Sequence, residues 1–233
     1  MAVTSAPSAT RGTAPWLTQR IAGIGGLLFA AIVVFSNILR GAIAPAADAE
    51  VSEIIEFATD DRAVIQVLGA LFAVSIVAVS VFIAGLYRSL AEGPEPIAAR
   101  VGLIGWVGTA AMFGTVVVSE MSLAVAGEHL ADSPGLARAF WTLNNTAFAF
   151  NMAMLATALL GFSLAGAAAG ITPRWFRVLG PAGAILLLVA AANGVSIAEG
   201  SPIVFVGLIG FLTWLLFVVT TAVGMIRREL PSA

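Results

Sequence analysis

The chain has 233 residues, of which 60% are hydrophobic and 10% charged, with a mean hydropathy of +1.02 and a formal net charge of −2. Soluble domains carry about 25% charged residues, so lipid is the solvent this composition requires. It contains no cysteine and all 11 of its basic residues are arginine, which excludes disulfides, thiolate nucleophiles and a lysine Schiff base. The absence of any basic run excludes nucleic acid as a partner.

In chain order, residues 1–19 are rich in Ala, Ser, Thr and Pro without apolar periodicity and predict a disordered cytoplasmic tail, with Trp16 near a membrane interface. Residues 21–39 are nearly uncharged and about as long as a hydrocarbon core of roughly 30 Å demands. The Ala47-Asp48-Ala49 triplet imitates a cleavage site, but the preceding apolar run exceeds the roughly 7–15 residues of a signal sequence; it is expected to stay as the first span. The acidic stretch 41–62 follows, where Val51, Ile54, Ile55 and Ala58 recur at helical spacing and predict a short amphipathic helix lying on the bilayer surface.

Further spans are expected at about 63–87, 101–126, 139–170, 178–198 and 203–226, with a short cytoplasmic tail at 229–233. The fold class is thus an all-α, polytopic bundle of six transmembrane helices, the membrane domain covering 20–228. Arg11, Arg20, Arg88, Arg100, Arg174, Arg177, Arg227 and Arg228 fall on the face shared by the termini, against Arg40, Arg62 and Arg138 on the other. The positive-inside rule then puts both termini in the cytoplasm, in a multi-pass protein of the cytoplasmic membrane. Arg20-Ile-Ala-Gly, Arg100-Val-Gly-Leu and Arg177-Val-Leu-Gly each open an outward-going span, the pattern of three helical hairpins in parallel repeat. The glycines of Gly102-x-x-Gly105-x-x-Gly108 and those at 161, 166 and 170 are close-packing surfaces, through which a homo-oligomer or a partner membrane protein could associate.

Polar residues inside the spans carry the functional expectation, because each is costly at membrane depth. Counting about 1.5 Å per residue from the cytoplasmic ends, Asn37 lies at roughly 24 Å, Asn193 at roughly 22 Å, and Gln66, Glu120 and Asn151 at roughly 28–32 Å. Five spans thus hold a carboxamide or carboxylate in one layer toward the outer surface, over an inner half with few polar groups. Trp141, Asn144, Phe148 and Asn151 share one helical face, with Asn145 beside them, and mix flat aromatic surface with hydrogen-bonding groups as ligand pockets do. Glu120 calls for a cation, and Arg40 and Arg138 are the candidates. The competing reading of the whole layer is interhelical glue. His129, the sole histidine, lacks the clustered ligands of a metal site. Neither a metal nor a cofactor is expected.

The run Leu159-Leu-Gly161-Phe-Ser-Leu, then Ile171-Thr-Pro173-Arg174-Trp175-Phe176-Arg177-Val-Leu-Gly180, together with the opening Arg20-Ile-Ala-Gly23 and the acidic first loop, resembles uncharacterised six-span bacterial integral membrane proteins grouped as a domain of unknown function. The resemblance implies a topology and a bacterial source, and no activity. Three functions are therefore carried forward from the residues: a non-catalytic binding or regulatory protein with an outward-facing polar pocket, a carrier for a small amphiphilic molecule, and an intramembrane enzyme using Glu120 with Asn144 or Asn145.

Overall fold

The computed structural model describes residues 15–227. The expected tail at 229–233 and the 1–14 part of the expected N-terminal tail lie outside the described residues, as does the side chain of Trp16. Residues 15–19 are helical rather than disordered: α1 spans Pro15–Ile43, since a proline is tolerated in a first turn. The remaining helices are α2 (Val51–Asp60), α3 (Arg62–Leu90), α4 (Pro96–Ala126), α5 (Pro134–Ala168), α6 (Phe176–Ala192), α7 (Gly194–Ala198) and α8 (Val204–Arg227), with a 3-10 turn over Gly127–Leu130. Both α4 and α5 begin several residues earlier than expected. Pro96 and Pro134 sit in their first turns, where the missing N–H would have been unpaired in any case.

Five helices, α1, α3, α4, α5 and α8, are long and apolar enough to cross a membrane. The chain is accordingly a multi-pass helical membrane protein. Large side chains on its outer faces, among them Ile38, Val77, Ile104, Val125 and Phe205, are exposed, as they must be where lipid replaces water. The expected span at 178–198 is instead two pieces, because α6 ends after 17 residues at Asn193. There the Asn193 amide turns back to the Val189 carbonyl, 2.8 Å away, and Gly194 follows; an Asn-Gly pair is a strong local breaker.

Neighbouring helices close into a ring. α1 packs on α3, α4 on α5 and α6 on α8, while α5 meets α6, α8 meets α1, and α3 meets α4 along the sparsest seam. The α4–α5 contact is the closest: a Cβ on Gly105 would sit 2.3 Å from the Ala158 nitrogen, and one on Gly161 would sit 2.2 Å from the Gly102 nitrogen. Gly108 faces Met154 in the same way. The glycines at 102, 105, 108 and 161 are therefore occupied within the chain by this crossing.

Helix α2 forms as expected, yet its apolar side does not lie on lipid. Ile54, Phe57 and Ala58 are buried in a second core with Ile65, Leu123, Leu130 and Trp141, so α2 caps the end of the bundle opposite the termini. A short helix gains more from an enclosed aromatic contact than from a half-buried interface: Phe57 meets Trp141 edge-on at 5.7 Å.

Candidate functional site

Two separate constellations occupy the region that the polar layer marks. The first lies under α2. Arg40, in the last turn of α1, reaches across to Glu120 of α4 with Nη2 2.5 Å from Oε1, and the same nitrogen donates to Asn144 Oδ1 of α5 at 3.0 Å. Asn144 Nδ2 in turn donates to the Val116 carbonyl at 2.9 Å, to Ser119 Oγ at 3.2 Å and to Glu120 Oε1 at 3.3 Å. One turn back along α5, the Trp141 indole donates to the Ala46 carbonyl at 3.0 Å, tying down the loop between α1 and α2. Glu120 is 4% exposed and Asn144 fully buried. A buried charge needs a partner and hydrogen bonds, and Arg40 and Asn144 supply them at Glu120 Oε1. Arg40, not Arg138, is the partner of Glu120.

The second constellation is a cavity of about 200 Å³ inside the ring. Every ring helix contributes to its wall, including Phe72 of α3, Leu187 of α6 and Phe211 of α8. Its two ends differ. Toward the termini the lining residues Phe29, Val79, Trp106, Leu155 and Trp214 are all buried; Trp106 stacks on Trp214 at 6.1 Å and takes Phe29 edge-on at 6.0 Å. This aromatic layer is a floor. Toward α2, Phe72, Phe113, Phe148 and Val204 are half-buried, and Asn37, Phe205 and Leu208 are exposed. The cavity thus opens sideways, between the ends of α1 and α8, while the Arg40 cluster lies one or two turns beyond it over α1, α4 and α5.

The expected pocket residues divide between these places. Asn37, Phe148 and Asn151 line the cavity. Glu120, Trp141 and Asn144 belong to the ion-pair cluster. Three lie outside both: Asn145 donates to the Trp141 carbonyl of its own helix at 2.9 Å, Asn193 closes α6, and Gln66 is exposed on α3. Arg138 is half-buried near the start of α5 and His129 is exposed. The face shared by Trp141, Asn144, Phe148 and Asn151 is real, but it runs past two different neighbourhoods, since its seven-residue reach from Asn144 to Asn151 covers about 10 Å.

The cavity also uses residues that the sequence reading passed over. Thr109 is 7% exposed with its Oγ1 unpartnered, and Ser75 and Trp106 stand on neighbouring walls. A usable signal was present in the indoles: tryptophan favours the headgroup level, whereas Trp106 and Trp214 lie near the middle of α4 and α8.

Fold and site define a class, a multi-pass helical membrane protein with a lateral, mostly apolar cavity closed at its terminal end. No protein-family model matches the chain, and neither the curated proteins nor the solved structures contain a match to it.

Proposed function

We propose that this chain crosses the cytoplasmic membrane six times, with α6 and α7 together making the fifth crossing, and that it is a non-catalytic binding protein for a small, largely apolar molecule. The arginine asymmetry supports cytoplasmic termini, which makes the cavity mouth face the outer leaflet. The pairing of α1 with α3, α4 with α5 and α6 with α8 supports three hairpins running in the same sense.

One observation carries the binding reading: an apolar cavity with a sealed floor and an open side, walled by every helix of the ring. The non-catalytic reading is supported at Glu120, whose Oε1 is held by Arg40 and Asn144 and which is not part of the cavity wall. A carrier would need a second opening at the terminal end, where Phe29, Trp106 and Trp214 pack ring to ring.

The test uses 4-bromotoluene, whose bromine quenches nearby indoles, on the purified protein in detergent. Saturable quenching is expected in the wild type and its loss in Ala110→Phe, which fills the cavity from α4. Linear quenching in both proteins would overturn the reading.

A further inference from the structure

Resting on the binding reading above, we infer that the cavity takes a neutral molecule with a ring-sized apolar body and a single hydroxyl group, and that Asn151 and Thr109 hold the hydroxyl. Neutrality follows from the wall, which has no ionisable side chain; a charge entering it would lose its water and find no partner. The apolar body follows from the aromatic walls and from size. A cavity of about 200 Å³ exceeds the roughly 150 Å³ apolar cavity known to admit benzene.

The hydroxyl follows from which polar groups are satisfied and which are not. Three of the five asparagines bond back to the carbonyl four residues earlier: Asn37 to Val33, Asn145 to Trp141 and Asn193 to Val189. Asn144 is bound into the ion-pair cluster. Asn151 makes no such bond, although it is 7% exposed at the centre of α5, and its Oδ1 is buried without a partner. The threonines repeat the contrast. Thr115, Thr157 and Thr213 each donate to the carbonyl one turn back, while the buried Thr109 hydroxyl has no partner. Thr172 and Thr221 are also unpartnered, but neither lines the cavity; Asn151 and Thr109 both do.

Two buried polar groups without a protein partner, on the adjacent helices α4 and α5 and both on the wall of one apolar cavity, suit the polar end of a ligand, since native buried polar groups are otherwise hydrogen-bonded. A hydroxyl suits them better than a carbonyl, which only accepts, or an alkylamine, which is charged at neutral pH and would find no partner in this wall. It donates and accepts at once, so it satisfies the Asn151 carboxamide in either of its two orientations and still meets the Thr109 hydroxyl.

The experiment compares 4-bromophenol, un-ionised at neutral pH, with 4-bromotoluene, which replaces the hydroxyl by a methyl group of similar size. Quenching is titrated in the wild type, in Asn151→Leu and in Thr109→Val, all as full-length protein in the same detergent. Taking each variant's ratio to the wild type cancels partitioning of the probes into micelles. Bromophenol is expected to lose about tenfold in affinity in Asn151→Leu, the equivalent of about 1.4 kcal/mol, and a smaller factor in Thr109→Val, while bromotoluene holds or gains. If Asn151→Leu does not fold, the Thr109→Val arm alone decides. Both probes binding with neither variant separating them would mean that water satisfies the two groups; the hydroxyl inference falls and the binding reading stands. Failure of both probes to quench the wild type saturably would overturn the two together.

Discussion

Replacing Arg40 by Met tests the ion-pair cluster more sharply than any change at Glu120. The variant keeps the aliphatic stem, removes the guanidinium, and leaves a carboxylate that is 4% exposed with only the Asn144 amide on its Oε1. Stranding one member of a buried pair costs about 3–5 kcal/mol; because the Arg40 side chain is 22% exposed, part of that is screened, and about 2–4 kcal/mol is expected. Glu120→Met should cost less, about 1–2 kcal/mol, since the half-buried arginine can turn to water or headgroups. The double variant should also cost about 1–2 kcal/mol, mainly for the Asn144 oxygen that loses its donor. A double-mutant cycle then gives a coupling of about 2–4 kcal/mol, measurable by equilibrium unfolding in mixed detergent and SDS micelles. Additive single costs, or Glu120→Met more damaging than Arg40→Met, would refute the argument that the cluster is a buried charge held by its partner.

Three other outcomes follow from the packing and the threading. Gly105→Ala, which places a Cβ 2.3 Å from the Ala158 backbone, should destabilise the α4–α5 pair by about 2–3 kcal/mol, while Gly114→Ala, with nothing within 4 Å of its new methyl, should be neutral or slightly stabilising; equal effects in the same unfolding assay would contradict the close crossing. Trp141→Phe removes the bond to the Ala46 carbonyl at a cost of about 1 kcal/mol, and limited proteolysis should show faster cleavage across residues 44–50. Because the chain has no cysteine, Glu56→Cys and Glu92→Cys report the threading directly: a membrane-impermeant maleimide should label the first in intact cells and the second only after permeabilisation, and the reverse pattern would overturn the arginine argument.

Much of this protein could be read from its residues. Runs such as 63–87 and 203–226 are so uniformly apolar that only a helix in lipid can satisfy their backbone, and the i, i+3, i+4, i+7 spacing at Val51–Ala58 locates α2. Boundaries were less legible, because Pro96 and Pro134 serve equally as the end of a loop or the first turn of a helix, and Asn193 was read as a pocket group when it ends α6.

The polar layer divides the two sources of information most clearly. Composition and spacing alone determined that amides and a carboxylate gather in one half of the bundle, because each such residue is costly in hydrocarbon wherever its helix turns. Which of them meet was decided only by the rotation of each helix about its axis and by which helices are neighbours. A turn of 100° per residue carries Asn144 to Arg40 and Glu120, carries Asn151 to an open cavity, and leaves Asn193 bonded to its own backbone. Packing across α1, α4 and α5 sets those rotations, and no local pattern in any single helix encodes them.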